Sequence, residues 1–311
     1  MNKIQENAWK IFTNNFRIQE NETVLIITDD KLSELASHFF QVLLKQKIEA
    51  SMITIASHYQ SGQEPPSAVS QAMKAVDIVL AITSFSLTHT KAKVEACKVG
   101  TRVGTMPGFN QEMLDSGAIE ADIEEIVQLS DHVTSHLNEA DQIEIHTDNG
   151  EYVLKFSVKG RKGISSTGLL DLKGQSSNIP SGESYIAPLE DSANGKILID
   201  ASIAEIGLVS EEPTVLELKD GKLVDATGSN GKKLLELLNT EEARTIAEFG
   251  IGTNKSAKLR GYVLEDEKLY GTVHIAFGSN KPFGGVTEAG IHIDCVSKHP
   301  IVYVEGKQLE I

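Results

Sequence analysis

Two imidazoles and a carboxylate occur between residues 271 and 296 at a spacing that suits metal binding. His274 is followed by His292 and Asp294, which form an H-x-D pattern. In an extended strand residues i and i+2 point to the same face, so His292 and Asp294 would lie side by side. The run around His274 predicts a second buried strand, and pairing of the two strands would bring all three residues together. Two imidazoles and one carboxylate are a common set of metal ligands, although such a group can also be a hydrogen-bonded core or rim pair.

Two glutamates are further candidates because of their surroundings. Glu248 lies within the apolar run TIAEFGIG, and a buried carboxylate is costly unless it is paired or bound to a cation. We therefore expect Glu248 to be a metal ligand or a salt-bridge partner. Glu183 lies in NIPSGESYIAP, where Pro and Gly predict a shaped loop of the kind that often carries functional carboxylates. The alternative for Glu183 is a solvated turn residue.

The order of predicted elements indicates an α/β fold. Apolar strand runs alternate with amphipathic helices over the first part of the chain, which predicts βαβ units and a parallel sheet. Short strands with tight turns follow, including a hairpin that turns at Asn149 and Gly150, and they predict an α+β region. We expect a Rossmann-like parallel-sheet domain at 1–138, without a nucleotide-binding glycine motif, and an α+β metal-site domain at 139–311. Within the second domain the segment 241–247 is predicted to be helical.

Composition and charge limit the classes of function. Hydrophobic residues make up 40% of the 311 residues, and the formal net charge is −15, so the chain is a poor candidate for nucleic-acid binding. No apolar run approaches the roughly 18 residues of a membrane helix, and the first residues lack the apolar stretch of a signal peptide. The two cysteines provide no disulfide framework, which fits a reducing compartment. We expect a cytoplasmic protein that acts on a peptide or a small molecule, without a membrane or nucleic-acid partner.

The segments around these residues resemble those of a known family of metalloenzymes. NIPSGESYIAP, AEFGIGTN, DEKLYGTVHIAFG and IHID are similar to the metal-ligand segments of the M29 family of thermophilic aminopeptidases. SLTHTKAKVEACKVGTRVGTMPG resembles a segment of that family and of its relatives, the 2,5-dihydroxypyridine 5,6-dioxygenases. The resemblance extends over nearly the whole chain. It implies a metalloenzyme and, by analogy with the family, a homodimer.

The resemblance to aminopeptidases implies a centre of two divalent ions, which would be zinc, cobalt or manganese. The ligands of this centre would be Glu183, Glu248, His274, His292 and Asp294. Glu248 would bridge the two ions, and Glu183 would act as general base. Such a centre activates water and removes N-terminal residues from peptides, as a leucyl-aminopeptidase-like enzyme does.

One position departs from the aminopeptidase pattern. Lys281 stands where these enzymes carry a tyrosine that stabilises the tetrahedral intermediate. A lysine at this position would supply positive charge to an oxyanion. The alternative is a solvated loop lysine without a catalytic role.

The resemblance to dioxygenases gives the same residues a different function. These relatives open a ring with one ferrous ion held by two histidines and one aspartate, which would be His274, His292 and Asp294 here. A mononuclear site does not need Glu183 and Glu248, so the presence of both favours the two-metal aminopeptidase as the first expectation. A third class is a metal-binding relative without either activity.

Overall fold

Strands and helices alternate in the first part of the chain, as the sequence predicts. In the computed structural model, which describes residues 1–209 and 212–310, the helices are α1 (Lys3–Lys10), α2 (Ser33–Lys45), α3 (Ser67–Met73), α4 (Lys91–Lys98), α5 (Gln111–Asp115), α6 (Ile123–Glu139), α7 (Gly231–Leu237) and α8 (Val263–Asp266). The first strands are β1 (Thr23–Asp29), β2 (Glu49–Ile55), β3 (Ile78–Ile82), β4 (Arg102–Thr105), β5 (Gln142–Thr147), β6 (Tyr152–Ser157), β7 (Ile164–Ser166), β8 (Ser176–Asn178), β9 (Glu183–Ile186) and β10 (Asn194–Ile199). They are followed by β11 (Ser202–Ile203), β12 (Gly207–Leu208), β13 (Thr214–Lys219), β14 (Lys222–Thr227), β15 (Ile246–Gly252), β16 (Thr272–Gly278), β17 (His292–Lys298), β18 (Ile301–Val304) and β19 (Lys307–Gln308). Among these helices none is both long enough and apolar enough to cross a membrane.

Five strands form a sheet in which every neighbouring pair is parallel. Their order is β2-β1-β3-β4-β8. β1 and β3 are buried almost throughout, as is typical of strands that are covered on both faces. α1 packs against α2, and α3 packs against α4. The strand order reverses between β1 and β3, which is the arrangement of doubly wound α/β folds. The predicted parallel sheet and the α/β class are confirmed.

The chain divides into two compact units. The first consists of Met1–Glu124 and Thr167–Ser181 and contains the parallel sheet. The second consists of Glu125–Ser166 and the described residues from Gly182 onward, and it contains the antiparallel strands. The division predicted from the sequence, with a Rossmann-like domain at 1–138 and an α+β metal-site domain at 139–311, stays a prediction.

Two seven-stranded antiparallel sheets build the second unit. One has the order β14-β13-β10-β6-β5-β18-β19 and contains the predicted hairpin of β5 and β6. The other, which we call the site sheet, has the order β12-β11-β17-β16-β15-β9-β7. Apolar side chains of both sheets share one core, to which the site sheet contributes alternate residues such as Phe249, Ile275 and Cys295. The opposite face of the site sheet is therefore available for polar groups.

The segment predicted to be helical at 241–247 differs from the structure. β15 begins at Ile246, and all of its residues are buried, including Glu248. A strand that is buried on both faces has a continuous apolar run instead of an alternating one. The prediction was wrong, because residues 241–244 form a turn and the last two residues of the predicted helix, Ile246 and Ala247, begin this continuous apolar run.

Close packing at Gly250 fixes one imidazole on the site sheet. Gly250 pairs with His274 across β15 and β16. A Cβ atom at Gly250 would lie 2.1 Å from Nε2 of His274, whose side chain is fully buried. The imidazole ring therefore lies directly over the glycine, and a larger residue at this position would displace it.

We expect Gly250→Ala to lower the free energy of unfolding by about 1–3 kcal/mol, because overpacking a dense region displaces side chains that have no open space to move into. Chemical denaturation of the two proteins measures the difference. Gly163→Ala is the matched control, because a Cβ atom there meets nothing closer than 3.3 Å. An equal loss in both variants would contradict the packing of His274 against Gly250.

Candidate metal centre

Ionisable side chains project from one face of the site sheet on three adjacent strands. They are Glu248 on β15, His274 on β16, and His292 and Asp294 on β17. The antiparallel register sets a small residue beside each of them. Gly250 pairs with His274, Gly278 pairs with His292, and Ala276 pairs with Glu248 on one side and Asp294 on the other. Because these neighbours have little or no side chain, one face has room for several ionisable groups.

Glu183 reaches the same cluster from β9. It is the first residue of that strand and pairs with Gly252 of β15, so it is not the loop residue expected from its Pro- and Gly-rich surroundings. Its Oε2 atom lies 3.5 Å from Nε2 of His274. The structure therefore brings all of the predicted metal-ligand residues to one face of the site sheet.

Glu248 lies between the two imidazoles. Its Oε1 is 3.3 Å from Nε2 of His274, and its Oε2 is 3.6 Å from Nε2 of His292. His292 and Asp294 are side by side as the H-x-D spacing predicts, with Nε2 and Oδ1 3.3 Å apart. Among the described residues, three groups have ligand atoms within 4.8 Å of one another: Glu183, Glu248 and His274; Glu248, His292 and Asp294; and Glu267, His274 and Asp294.

Burial is unequal across this cluster. His274 is inaccessible to solvent, and the three carboxylates of Glu183, Glu248 and Asp294 are nearly so. The side chain of His292 is 30% exposed. A ligand from solvent would therefore meet the cluster at His292.

The carboxylates raise the pKa values of both imidazoles. Burial lowers the pKa of His274, but the hydrogen bond to Glu248 and the charges of Glu183 and Glu248 outweigh it and raise that pKa to about 9. Burial likewise opposes protonation of His292, and the neighbouring Asp294 and Glu248 raise its pKa to about 10. Without a metal ion, protons on the two imidazoles thus balance part of the negative charge.

The donor atoms fit a divalent metal ion. The Nδ1–H group of His292 donates to the carbonyl oxygen of Ser279 at 2.9 Å, which leaves Nε2 as the ligand atom. Within the described part of the chain, Oε2 of Glu183 and Nδ1 of His274 are buried without a hydrogen-bond partner. Such atoms are costly unless a cation or another group binds them. Imidazole nitrogen and carboxylate oxygen suit first-row divalent ions, iron among them.

A buried lysine and a further glutamate adjoin the cluster, and neither is among the residues singled out from the sequence. Nζ of Lys268 lies 2.6 Å from Oε1 of Glu183 and also donates to the carboxylate of Glu267. Burial lowers the pKa of Lys268, but the two carboxylates outweigh it and hold that pKa above its usual value. The motif DEKLYG gives no sign that its charged residues are buried, because such runs are usually solvated turns.

Two aromatic residues line the exposed side of the cluster. The ring of Phe283 lies edge-on to His292, with centroids 5.9 Å apart, and to Tyr185, with centroids 5.6 Å apart. Burial, together with the charges of Glu248 and Glu183, raises the pKa of Tyr185, so its hydroxyl keeps its proton. Tyr185 follows Glu183 by two residues in β9, and this spacing would have indicated that both side chains share a face.

Lys281 lies on the same loop as Phe283 but faces another direction. Its side chain is 55% exposed, and its ammonium group pairs with Glu288. The short 3-10 turn Lys281–Phe283 places Phe283 against His292 and leaves the lysine at the surface. The role of Lys281 in stabilising an oxyanion stays a prediction.

The loop that carries Phe283 is held by several polar contacts. Oε1 of Glu190 accepts hydrogen bonds from Nδ2 of Asn280 at 2.9 Å and from the backbone of Val286 at 2.8 Å. Its other oxygen pairs with Arg161 at 2.5 Å. Asn280 is fully buried and accepts a hydrogen bond from the backbone of Thr287 through Oδ1. The loop therefore has a defined shape, which fixes the position of the aromatic ring.

A family model and a curated relative match most of the chain. The family model of NicX, 2,5-dihydroxypyridine 5,6-dioxygenase, matches residues 7–310. A curated 2,5-dihydroxypyridine 5,6-dioxygenase from Pseudomonas putida is 22% identical over 262 residues, which are 77% of this chain and 71% of the relative.

Solved structures support the same fold. The structure of a 2,5-dihydroxypyridine dioxygenase from Pseudomonas putida superposes with a TM-score of 0.82 at 17% identity, over 99% of this chain and 95% of the other. Wild-type AmpT from Thermus thermophilus superposes with a TM-score of 0.64 at 13% identity, over 99% of each chain. The likeness to AmpT supports the expected M29-like fold, whereas the family model and the curated relative point to the related dioxygenases.

We expect metal binding to release protons and to strengthen as pH rises. Both imidazoles are protonated at pH 7 in the metal-free protein, because their pKa values are about 9 and 10, and a metal ion must displace those protons. About two protons should be released per ion at pH 7, and the apparent affinity should increase up to about pH 10, the higher of the two pKa values. Calorimetric titration with Mn²⁺ in buffers of different ionisation enthalpy measures this number.

The control for this titration is a histidine outside the cluster. His132→Ala, on the exposed side of α6, should release as many protons as the unaltered protein. His292→Ala should release about one proton fewer per ion. Metal affinity that does not change between pH 6 and pH 8 would contradict coordination by these two imidazoles.

Proposed function

Because the chain belongs to the NicX family of 2,5-dihydroxypyridine 5,6-dioxygenases, we propose that it is a ring-cleaving dioxygenase that depends on ferrous iron. Its substrate would be a hydroxylated pyridine or a close analogue, and its oxidant would be molecular oxygen. The sequence alone favours a two-metal aminopeptidase, with the dioxygenase as the alternative. The family match and the curated relative support the alternative better.

The observation that carries the proposal is a two-histidine, one-carboxylate set next to aromatic side chains. His274, His292 and Asp294 would hold the iron, and such a set leaves coordination positions open for other ligands. Phe283 lies against His292, which is the solvent-accessible member of the set. A flat aromatic substrate that reaches His292 would therefore meet the ring of Phe283, and offset or edge contacts between aromatic rings are favourable.

Cleavage between C5 and C6 of a 5-hydroxypyridine needs no reactant besides oxygen. The C5–C6 bond breaks, and one oxygen atom is added to each of the two carbons. C5 becomes a carboxylic acid and C6 becomes a formyl group, so both atoms of O₂ are in the product. A ferrous ion bound at the cluster would supply the redox chemistry that lets ground-state oxygen react with an electron-rich ring.

Side chains around the three iron ligands would transfer the proton of the ring hydroxyl. Glu248 lies within 3.6 Å of both imidazoles, so its carboxylate would accept that proton and return it to the carboxylate that ring cleavage forms. Tyr185 keeps its own proton because its pKa is raised, and its hydroxyl is therefore a hydrogen-bond donor. Burial of His274 and Glu248 keeps water away from this side of the cluster.

The two-metal aminopeptidase is the second candidate function. The observation in its favour is the position of Glu248, whose two oxygens face different imidazoles as a bridging ligand would. The fold shared with AmpT is compatible with it. It would use zinc, cobalt or manganese in place of iron, with Glu183 as general base. Assembly into a homodimer stays a prediction under either function.

We expect the iron-loaded protein to consume about one O₂ per molecule of 2,5-dihydroxypyridine, because both oxygen atoms enter the product. Asp294→Ala should lower kcat/KM by more than about 100-fold, since even groups that only support a ligand cost 10–100-fold. An oxygen electrode measures both quantities. Glu288→Gln, at an exposed position, is the control and should retain activity. Release of N-terminal residues from peptides without oxygen uptake would support the aminopeptidase.

We expect Phe283→Ala to raise KM by about 3- to 10-fold, because an aromatic contact contributes about 0.5–1.5 kcal/mol. Steady-state kinetics over a range of substrate concentrations measures the change. Val286→Ala is the matched control, because Val286 is an exposed residue of the same loop. If both variants keep the original KM, Phe283 does not contact the substrate.

A further inference from the structure

A buried lysine adjoins the metal ligands, and the proposed reaction does not use it. Lys268 lies between α8 and β16, and its side chain is 1% exposed. Its ammonium group donates to Oε1 of Glu183 at 2.6 Å and to the carboxylate of Glu267. Burying an ammonium group is costly unless carboxylates pair with it, so these two contacts hold Lys268 in place.

We propose that Lys268 takes the place of a second metal ion and thereby restricts the centre to one. This inference rests on the proposed function, because it explains how a chain with the carboxylates of a two-metal centre would hold a single ferrous ion. It also assigns Glu183 as a positioning residue that holds Lys268, in place of the ligand role expected from the aminopeptidase resemblance.

The carboxylates that contact Lys268 are those that a second ion would need. Around His274 the available carboxylates include Glu183 and Glu267, and both contact the ammonium group. The residues that would hold the iron, His274, His292 and Asp294, are not among the partners to which the ammonium group of Lys268 donates. The iron site thus keeps its ligands, whereas the site at Glu183 and Glu267 is already occupied by the ammonium group of Lys268.

Electrostatic repulsion makes the ammonium and a second divalent ion mutually exclusive. An ion bound to the carboxylates of Glu183 and Glu267 would lie within a few ångströms of Nζ of Lys268. Like charges at that separation repel strongly where water does not screen them. The ion would also have to compete for Oε1 of Glu183, which already accepts a charge-assisted hydrogen bond.

The test is a count of metal ions in the full chain with Mn²⁺ as the probe. Metal-free protein is titrated with Mn²⁺ without substrate or oxygen, and the number of ions is measured by calorimetry and elemental analysis. Electron paramagnetic resonance separates an isolated Mn²⁺ from a coupled pair. The count does not depend on turnover, so a chain that binds one ion but consumes no oxygen would contradict the dioxygenase and leave the role of Lys268 standing.

We expect the unaltered chain and Lys268→Arg, which keeps the charge, to bind about one ion each with the signal of isolated Mn²⁺. Lys268→Met removes the charge at similar length, so it should bind about two ions with a coupled signal. The second ion should be lost again in the double variant Lys268→Met and Glu183→Gln.

Three results would overturn the proposal. They are two ions in the unaltered chain, two ions in Lys268→Arg, or one ion in folded Lys268→Met. If Lys268→Met does not fold, Glu183→Gln in the otherwise unaltered chain decides. This variant should still bind about one ion, because Glu183 is not a ligand, and loss of that ion would overturn the assignment.

Discussion

The site depends on the burial of many charged groups on one face of a sheet. Carboxylates of Glu183, Glu248, Glu267 and Asp294 lie within reach of two imidazoles and one ammonium group. Each buried ion loses several kcal/mol of hydration, and only opposite charges and hydrogen bonds at short distance offset that loss. The face is therefore stable only when cations fill it. Without a metal ion, protons on both imidazoles and the charge of Lys268 have this role.

The site sheet makes this arrangement possible because its two faces are so different. One face packs Phe249, Ile275 and Phe277 into the shared core, which fixes the strands. On the other face small residues, Gly250 among them, stand beside the ionisable groups and leave room for imidazole rings. The loop with Phe283 borders the open side next to His292 and is held by Asn280 and Glu190.

Much of this architecture was predictable, because it follows from local periodicity. The alternation of strands and helices indicated the parallel sheet, and the H-x-D spacing indicated that His292 and Asp294 lie side by side. Glu248 is recognisable from the sequence as a buried charge, whereas the start of its strand at Ile246 is not, because a continuous apolar run has no period of two. Lys268 could not be predicted, because its burial arises from contacts between distant segments and not from its neighbours in sequence.

One set of ligands on this fold is compatible with two chemistries, and the number of metal ions distinguishes them. In the proposed function this chain uses the set to add both atoms of O₂ to a ring. Mass spectrometry of the product formed from 2,5-dihydroxypyridine under isotopically labelled oxygen gas tests it most directly. Both labelled atoms of one O₂ should appear in the product, one at each new chain end. Product oxygen that comes from water, or no oxygen consumption together with peptide hydrolysis, would contradict it.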